Sequence, residues 1–350
     1  MCNLPSHLTL VLSFILAIFS SGTQAQNVTK IGFIGSLSSF ASEYGQASLD
    51  GVQLALNEIN KDKHLVDLII EDDGSDPKRS VQALNKLISV DKVNIVVSGT
   101  WWATSLVAIA EKSNTLLLST ETLEENSSPH GKTYFVFQGE LNNWIDVYRP
   151  TIEARGWKRA AMVHFVSSFG ETLRDRLKGI FSESGRTFAG TVEYSTIDLS
   201  DAPTIALKIK KMNPEVLYID AQPQSLPVIM KRLEEIGAGD IAIIANNVLK
   251  VSLEQKLFSP DRFKELYYAQ RKSYAEPFLT AFRSKYKKDP KLNADLGYYA
   301  MKLAAKASET KDRVAFMHSS PVVDGMTFTF NEKNLFNGAP QEVICVKKSD

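Results

Sequence analysis

Apolar, strand-like runs alternate with helix-period segments along this chain, and the alternation occurs twice. Residues 31–35 form the first run. A small polar turn at 35–39 follows, then a helical stripe of Tyr44, Ala47, Val52, Ala55 and Ile59 within 43–60. Residues 65–70 are apolar and β-rich. Asp76 and Pro77 then supply an N-cap and a first-turn proline for a helix carrying Val81, Leu84 and Ile88. Runs at 93–97 and 115–118 flank a further helix that ends near Lys112. The order restarts near Asn142, with a helix to Gly156, a strand at 159–165, a helix to Gly185 and a strand at 191–194. Asp201 and Pro203 open the next helix, followed by a strand at 216–220, a helix at 225–236 stopped by Gly237, and a strand at 241–245. Alternation of this kind needs crossover connections, which dictate mostly parallel sheets with helices on both faces. The expectation is an α/β protein built of two such units in sequence, with ligands beyond the carboxyl ends of the strands. Later segments read as helices at 276–287 and 294–307, an alternating stretch at 327–330, and a closing strand at 343–346 that buries Cys345.

The length of 350 residues suits two domains with a large core. With 40 basic and 40 acidic residues, bulk charge gives no drive toward nucleic acid or an anionic membrane. Residues 8–19 are apolar except for Thr9 and Ser13, which fits the core of a secretory signal and is too short to span a bilayer. Thr23-Gln24-Ala25 places small residues where a signal peptidase cuts, so residues 1–25 are expected to leave and the mature chain to begin at Gln26. The segment before Leu8 departs from the usual pattern in having only His7 and no Lys or Arg. Of the two cysteines, Cys2 would leave with the signal, so Cys345 has no partner for a disulfide.

Motifs for catalysis are missing. Gly237-Ala238-Gly239 lacks a third glycine and follows a helix, and the sequence has neither a phosphate-binding Walker loop nor a nucleophile elbow. His7, His64, His130, His164 and His318 lack metal-ligand spacing; His164, at a strand end, reads more readily as a core or supporting residue than as a ligand. The acidic run 71–76 lacks calcium-loop spacing and reads as a solvated turn with a helix cap. Asn27-Val28-Thr29 and Asn126-Ser127-Ser128 match the glycosylation triplet, which matters only in a eukaryotic secretory pathway. No metal and no cofactor is expected.

What remains has binding character. Trp101-Trp102 follow Ser98-Gly99-Thr100 at a strand end, and two adjacent indoles point different ways, so at most one faces a pocket. An aromatic wall beside helix N-terminal amides and a threonine hydroxyl suits a small zwitterion or carboxylate. Glu121 ends the next strand and reads equally as a counter-charge for an amine and as a surface carboxylate. Ser38-Ser39-Phe40 with Tyr44-Gly45 is echoed by Ser167-Ser168-Phe169-Gly170 in the second unit.

Five stretches, in order, resemble the periplasmic solute-binding proteins of branched-chain amino acid ABC transporters, the Leu/Ile/Val-binding type with the type I periplasmic-binding fold. They are IGFIGSLSSFASEYGQASLDGVQLALNEIN, IIEDDGSDPKRSVQALNKLI, VVSGT with AIAEKSNTLLLST, AAMVHFVSSFGETL, and EVLYIDAQPQSLPVIMKRLEEIG. The resemblance implies two Rossmann-like lobes with parallel central sheets, joined by a three-segment hinge and closing on a ligand. It places lobe 1 at 26–140 plus 271–328 and lobe 2 at 141–270 plus 329–350, with crossovers near 139–142, 269–273 and 327–331. Carried over residue by residue, it implies ligand contacts at Ser39, Tyr44, Thr100, Trp101, Glu121, Phe169, Gln222 and Asn247. Two positions depart from the family pattern: Gln222 replaces an aromatic, and Asn247 replaces the acid that receives the ligand's ammonium. Glu121 or Asp220 then substitutes for that acid, or the ligand is not an ordinary α-amino acid. The small disulfide common in the family would join Ser75 to the 98–101 region; both cysteines are absent together.

The implied function is a monomeric, non-enzymatic periplasmic receptor for a small polar ligand, an amino acid or related amide or carboxylate. Its implied partner is an ABC permease in the inner membrane, with no role for nucleic acid. The alternative is a sensory binding protein of the same fold that signals to a membrane receptor. A secreted α/β enzyme is the third class, and for that the sequence offers no nucleophile–base pair.

Overall fold

A computed structural model of the chain describes residues 28–39, 41–121, 131–139, 143–195, 199–246, 248–271, 276–337 and 341–347. The signal segment 1–25 and its cleavage site lie outside the described residues, as do Asn27, Phe40, the triplet at Asn126 and Asn247. No helix among the described residues is long and apolar enough to cross a membrane.

The strands are β1 (Thr29–Gly35), β2 (Val66–Asp72), β3 (Ile95–Gly99), β4 (Leu116–Ser119), β5 (Tyr134–Val136), β6 (Arg159–Phe165), β7 (Thr187–Tyr194), β8 (Val216–Asp220), β9 (Ala242–Ala245), β10 (Glu265–Arg271), β11 (Val322–Val323), β12 (Met326–Thr327) and β13 (Gln341–Lys347). The helices are α1 (Ser42–Ile59), α2 (Pro77–Ser89), α3 (Val107–Ser113), α4 (Asn143–Asp146), α5 (Arg149–Arg155), α6 (Ser168–Glu183), α7 (Ala202–Met212), α8 (Ser225–Glu235), α9 (Val248–Glu254), α10 (Glu276–Tyr286), α11 (Ala294–Ser308) and α12 (Arg313–His318).

Two sheets result, as the double alternation predicts. The first has the order β2-β1-β3-β4-β5 and is parallel throughout. The second has the order β13-β10-β9-β8-β6-β7, parallel except where β13 pairs antiparallel with β10. Strands β6 to β10 therefore repeat the winding of β1 to β5. In both sheets the order reverses between the first and third strands, which puts a crevice at the ends of β1 and β3 and another at the ends of β6 and β8.

Both faces of each sheet are covered, which is why its central strands are continuous apolar runs instead of alternating ones. Ile31 and Phe33 of β1 pack with α1 and α11 on one face, while Ile34 packs with α2 and α3 on the other. In β8, Leu217 and Ile219 face α7 and α8, and Val216 and Tyr218 face α5 and α6. Helices α1 and α11 approach unusually closely through two glycines. A Cβ on Gly51 would lie 1.8 Å from the Ala294 carbonyl oxygen, and one on Gly297 would lie 2.1 Å from that of Ser48.

The chain crosses from the first sheet to the second after Phe137 and returns between β10 and α10; parts of both crossovers lie outside the described residues. The third crossover corrects the sequence reading, which placed it at 327–331 and assigned 329 onward to lobe 2. Phe330 and Phe336 pack in the first sheet's core against Phe135 and Phe137. The Phe336 amide donates to the Val136 carbonyl (2.9 Å), and Leu335 bridges Val136, so this turn-rich segment extends the first sheet beside β5. The chain leaves only between Asn337 and Gln341.

Smaller differences have local causes. The single helix expected over 142–155 is broken into α4 and α5 with Pro150 in the first turn of α5, because proline has no amide hydrogen to continue the ladder. Cys345 is half-buried, not buried, since β13 is an edge strand.

Candidate functional site

The crevice of the first sheet is built from hydroxyls and one buried acid. Gly35 and Gly99 lie in register at the ends of β1 and β3. Beyond them the Ser36 hydroxyl donates to Asp73 Oδ1 (3.0 Å) and lies 3.4 Å from the Thr100 hydroxyl. Thr100 is fully buried, and its Oγ1 also accepts from the Trp102 amide (3.2 Å). The acidic run read as a solvated turn is in fact a brace. Asp73 is fully buried and accepts from Ser36, the Ser80 hydroxyl (2.6 Å) and the Ser75 amide (2.8 Å). Asp72 accepts from the amides of Leu37, Ser38 and Gly74 and from the Ser38 hydroxyl (2.7 Å). Burial alone would raise the Asp72 carboxyl, but the Ser38 hydroxyl and those amides outweigh it and hold it below the usual carboxylate range. Asp76 caps α2 as expected.

Helix α1 enters above this crevice. A Cβ on Gly45 would sit 2.4 Å from the Ser36 carbonyl oxygen, so glycine there lets the first turn lie against the β1 loop. That places the Tyr44 ring 5.4 Å from the Trp101 ring. Glu121, at the end of β4, is 5% exposed, which decides against a surface carboxylate. Its Oε2 accepts from Asn293 Nδ2 (2.6 Å), and Asn293 is held at φ 70° just before α11. Thr120 beside it is locked by the Ser48 hydroxyl (2.7 Å) and the Ser98 carbonyl.

The second sheet presents Asp220 at the end of β8. It is 6% exposed, and burial raises its carboxyl to about 7 against the lowering effect of the Asn246 amide, whose Nδ2 donates to Oδ1 (3.0 Å). Asn246 Nδ2 also donates to the Ala221 carbonyl (3.0 Å). The Gln222 amide donates to Tyr194 Oη (3.3 Å). Burial pushes the Tyr194 hydroxyl up to about 12; the Gln222 amide and Ser225 hydroxyl oppose this, and Asp220 adds to it. Phe169 lies in the first turn of α6, which is capped by Ser167, and its ring meets Trp144 edge-on at 6.5 Å.

Tyr44 joins the two halves. Its hydroxyl is driven well up by burial first, then by the charges of Glu121, Glu43 and Asp220, with Tyr194 adding a smaller push. Carboxylates from both sheets thus act on one phenol. Beside it lies a cavity of about 300 Å³ bounded by the ends of all three crossovers. Its walls carry Tyr44, Phe137, Trp144, Tyr148, Tyr218 and Phe336 together with Gln138 and Asn246. Tyr148 is fixed there by donating to the Ala245 carbonyl (3.0 Å) and by an edge contact with Tyr218 (6.0 Å).

Of the residues named from sequence, Tyr44, Trp101 and Glu121 come together in the first half, above Thr100, and Gln222 joins the facing half through Tyr194. Phe169 stands behind Trp144 at the cavity's edge. Ser39 is exposed at φ 71° and does not line the cavity. Asn247 lies outside the described residues. The sequence reading missed Trp144, Tyr148, Tyr218 and Asn293. Tyr218 sat inside a run already assigned as strand, and only the fold brings the others to the cleft. His164 is fully buried, bonded through Nδ1 to the Phe165 carbonyl (2.8 Å), with Nε2 3.5 Å from Glu193, which agrees with a supporting role.

Comparison with known proteins agrees with this architecture. The leucine-, isoleucine-, valine-, threonine- and alanine-binding protein of Pseudomonas aeruginosa is 24% identical over 230 residues, covering 63% of this chain. A Leu/Ile/Val-binding protein of Rhizobium johnstonii is 25% identical over 219 residues, 59% of this chain. The chain spans 61% and 58% of the length of these two relatives. The crystal structure of a leucine-binding protein from Thermotoga maritima superposes with a TM-score of 0.73 at 17% identity, covering 91% of this chain and 96% of that one. The resemblance to the Leu/Ile/Val-binding type is therefore borne out, and so is the two-sheet α/β fold. A family model described as periplasmic binding protein matches residues 28–333, and the chain belongs to that family.

Proposed function

We propose that the protein is a non-enzymatic, periplasmic solute receptor that binds a small polar ligand of the amino-acid class between its two lobes and delivers it to an ABC permease. One observation carries this reading: two sheets whose parallel strands share one winding meet at a single cavity, lined by Tyr44 of the first unit and by Tyr218 and Asn246 of the second. A cleft of this kind closes around a ligand by hinge motion, and a buried polar cleft needs ligand groups to offset its desolvation. In this reading Thr100 and the amides after it meet an anionic or carbonyl group, Tyr44 and Trp101 form one wall, Phe169 and Gln222 form the other, and Glu121 contributes negative charge. Calorimetric titration of the mature chain with the proteinogenic amino acids and a series of small amines, amides and carboxylates tests it. A solute that binds one-to-one, and that Thr100→Ala and Glu121→Ala each weaken, supports the site. Wild-type affinity in both variants shows that the ligand sits elsewhere.

A further inference from the structure

The charge around the cavity is lopsided. Asp220 Oδ1 accepts from Asn246, while Oδ2 accepts from no described residue. Around the carboxyl stand Tyr44 of α1, Tyr194 of β7 and Tyr218 of its own strand, with Asn246 at the end of β9; no cation among the described residues acts on it. The two lysines on the cavity wall already have partners: Lys291 pairs with Glu43 (2.9 Å) and Lys250 with Glu254 (3.9 Å). Glu43 and Glu121 add further negative charge on the Tyr44 side. A buried carboxylate held by one amide is costly to the fold, and a positive group brought by a ligand would offset that cost. The adjoining wall is made of aromatic rings, whose faces attract cations and whose edges suit an apolar body. An anion would be repelled here, and a neutral amide would leave the carboxylate uncompensated.

We propose that this cleft selects a small organic amine, its ammonium set against Asp220 and its apolar body in the aromatic-walled cavity. The inference rests on the receptor reading above and narrows its ligand to a chemical class. An amino acid qualifies through its ammonium; a carboxylic acid without one does not.

The test is calorimetry of the mature chain with phenethylammonium, isoleucine, benzoate and benzamide. The two ammonium-bearing probes bind, and benzoate and benzamide bind weaker by roughly tenfold or more. Asp220→Asn lowers the affinity for phenethylammonium by at least about tenfold. In the wild type that affinity falls about tenfold per pH unit below about 7, as the carboxyl takes up a proton, and the dependence is absent from the variant. Benzoate or benzamide binding as tightly as phenethylammonium, or undiminished affinity in Asp220→Asn, overturns the amine assignment. Should the variant not fold, a wild-type affinity that stays flat from pH 8 down to about 5 overturns it instead. Either result leaves the solute-receptor reading standing, because that reading fails only if no solute responds to Thr100→Ala and Glu121→Ala.

Discussion

Asn246, on the wall of the interlobe cavity, clamps Asp220 behind it, its Nδ2 donating to Asp220 Oδ1 at 3.0 Å. The arrangement buries a carboxyl behind the cavity wall at some expense to stability. Burial raises that carboxyl to about 7, above an ordinary value of about 3.9. The folded protein therefore binds this proton more tightly than the unfolded chain. The sign follows: stability from this group is fully present below about pH 4 and is lost as pH rises to about 7. The expected loss is about 4 kcal/mol across that window. Urea unfolding at pH 5 and pH 8 should read about 3 kcal/mol of it, with Asp220→Asn lacking this slope and exceeding the wild type at pH 8.

Asp73 is expected to matter for stability, not for ligand choice. It collects Ser36, Ser75 and Ser80 with no exposure to solvent. Asp73→Ala strands those donors and costs about 3 kcal/mol, read from the urea midpoint. An unchanged midpoint would mean that the β1 loop holds itself without the brace.

The α1–α11 contact tolerates no added methyl. Gly51→Ala would press on the Ala294 carbonyl, and Gly297→Ala on that of Ser48. Each is expected to destabilise by about 3 kcal/mol or more. Because the two sites share one helix contact, the double variant should lose less than the sum, which a double-mutant cycle measures.

Glu121 and Thr100 are expected to act on binding. Removing either side chain should weaken the bound solute by about tenfold or more, with far-ultraviolet circular dichroism unchanged. Asn293→Ala, which deprives Glu121 Oε2 of its donor, should weaken binding in the same direction.

Much of the frame was legible because the buried parallel strands are apolar runs with clear helix caps between them. β6 and β8 fall at the residues the sequence marks, and α5 ends at Gly156 in the left-handed region. β5 was hidden by its three-residue length, and β10 by polar residues interleaved in ELYYAQR. The third crossover misled because Asn331 to Asn337 has turn composition, yet Phe330 and Phe336 carry it into the first core. At the candidate site, the α/β rule pointed to the strand-end loops that hold Thr100 and Glu121, while Asp220 was reached only through the resemblance. Their supports were not: Asn293 meets Glu121 across 172 positions, a contact that only the fold creates.

The central claim is that the lobes close on a ligand held between them. Val90, after α2, and Leu207, on α7, are 68% and 60% exposed and belong to different lobes. Spin labels at these positions in a Cys345→Ala background allow the distance between lobes to be measured by double electron–electron resonance. With the tightest solute of the calorimetric series at saturation, the distance should shorten and its distribution narrow. A distribution unchanged by the saturating solute would contradict the account.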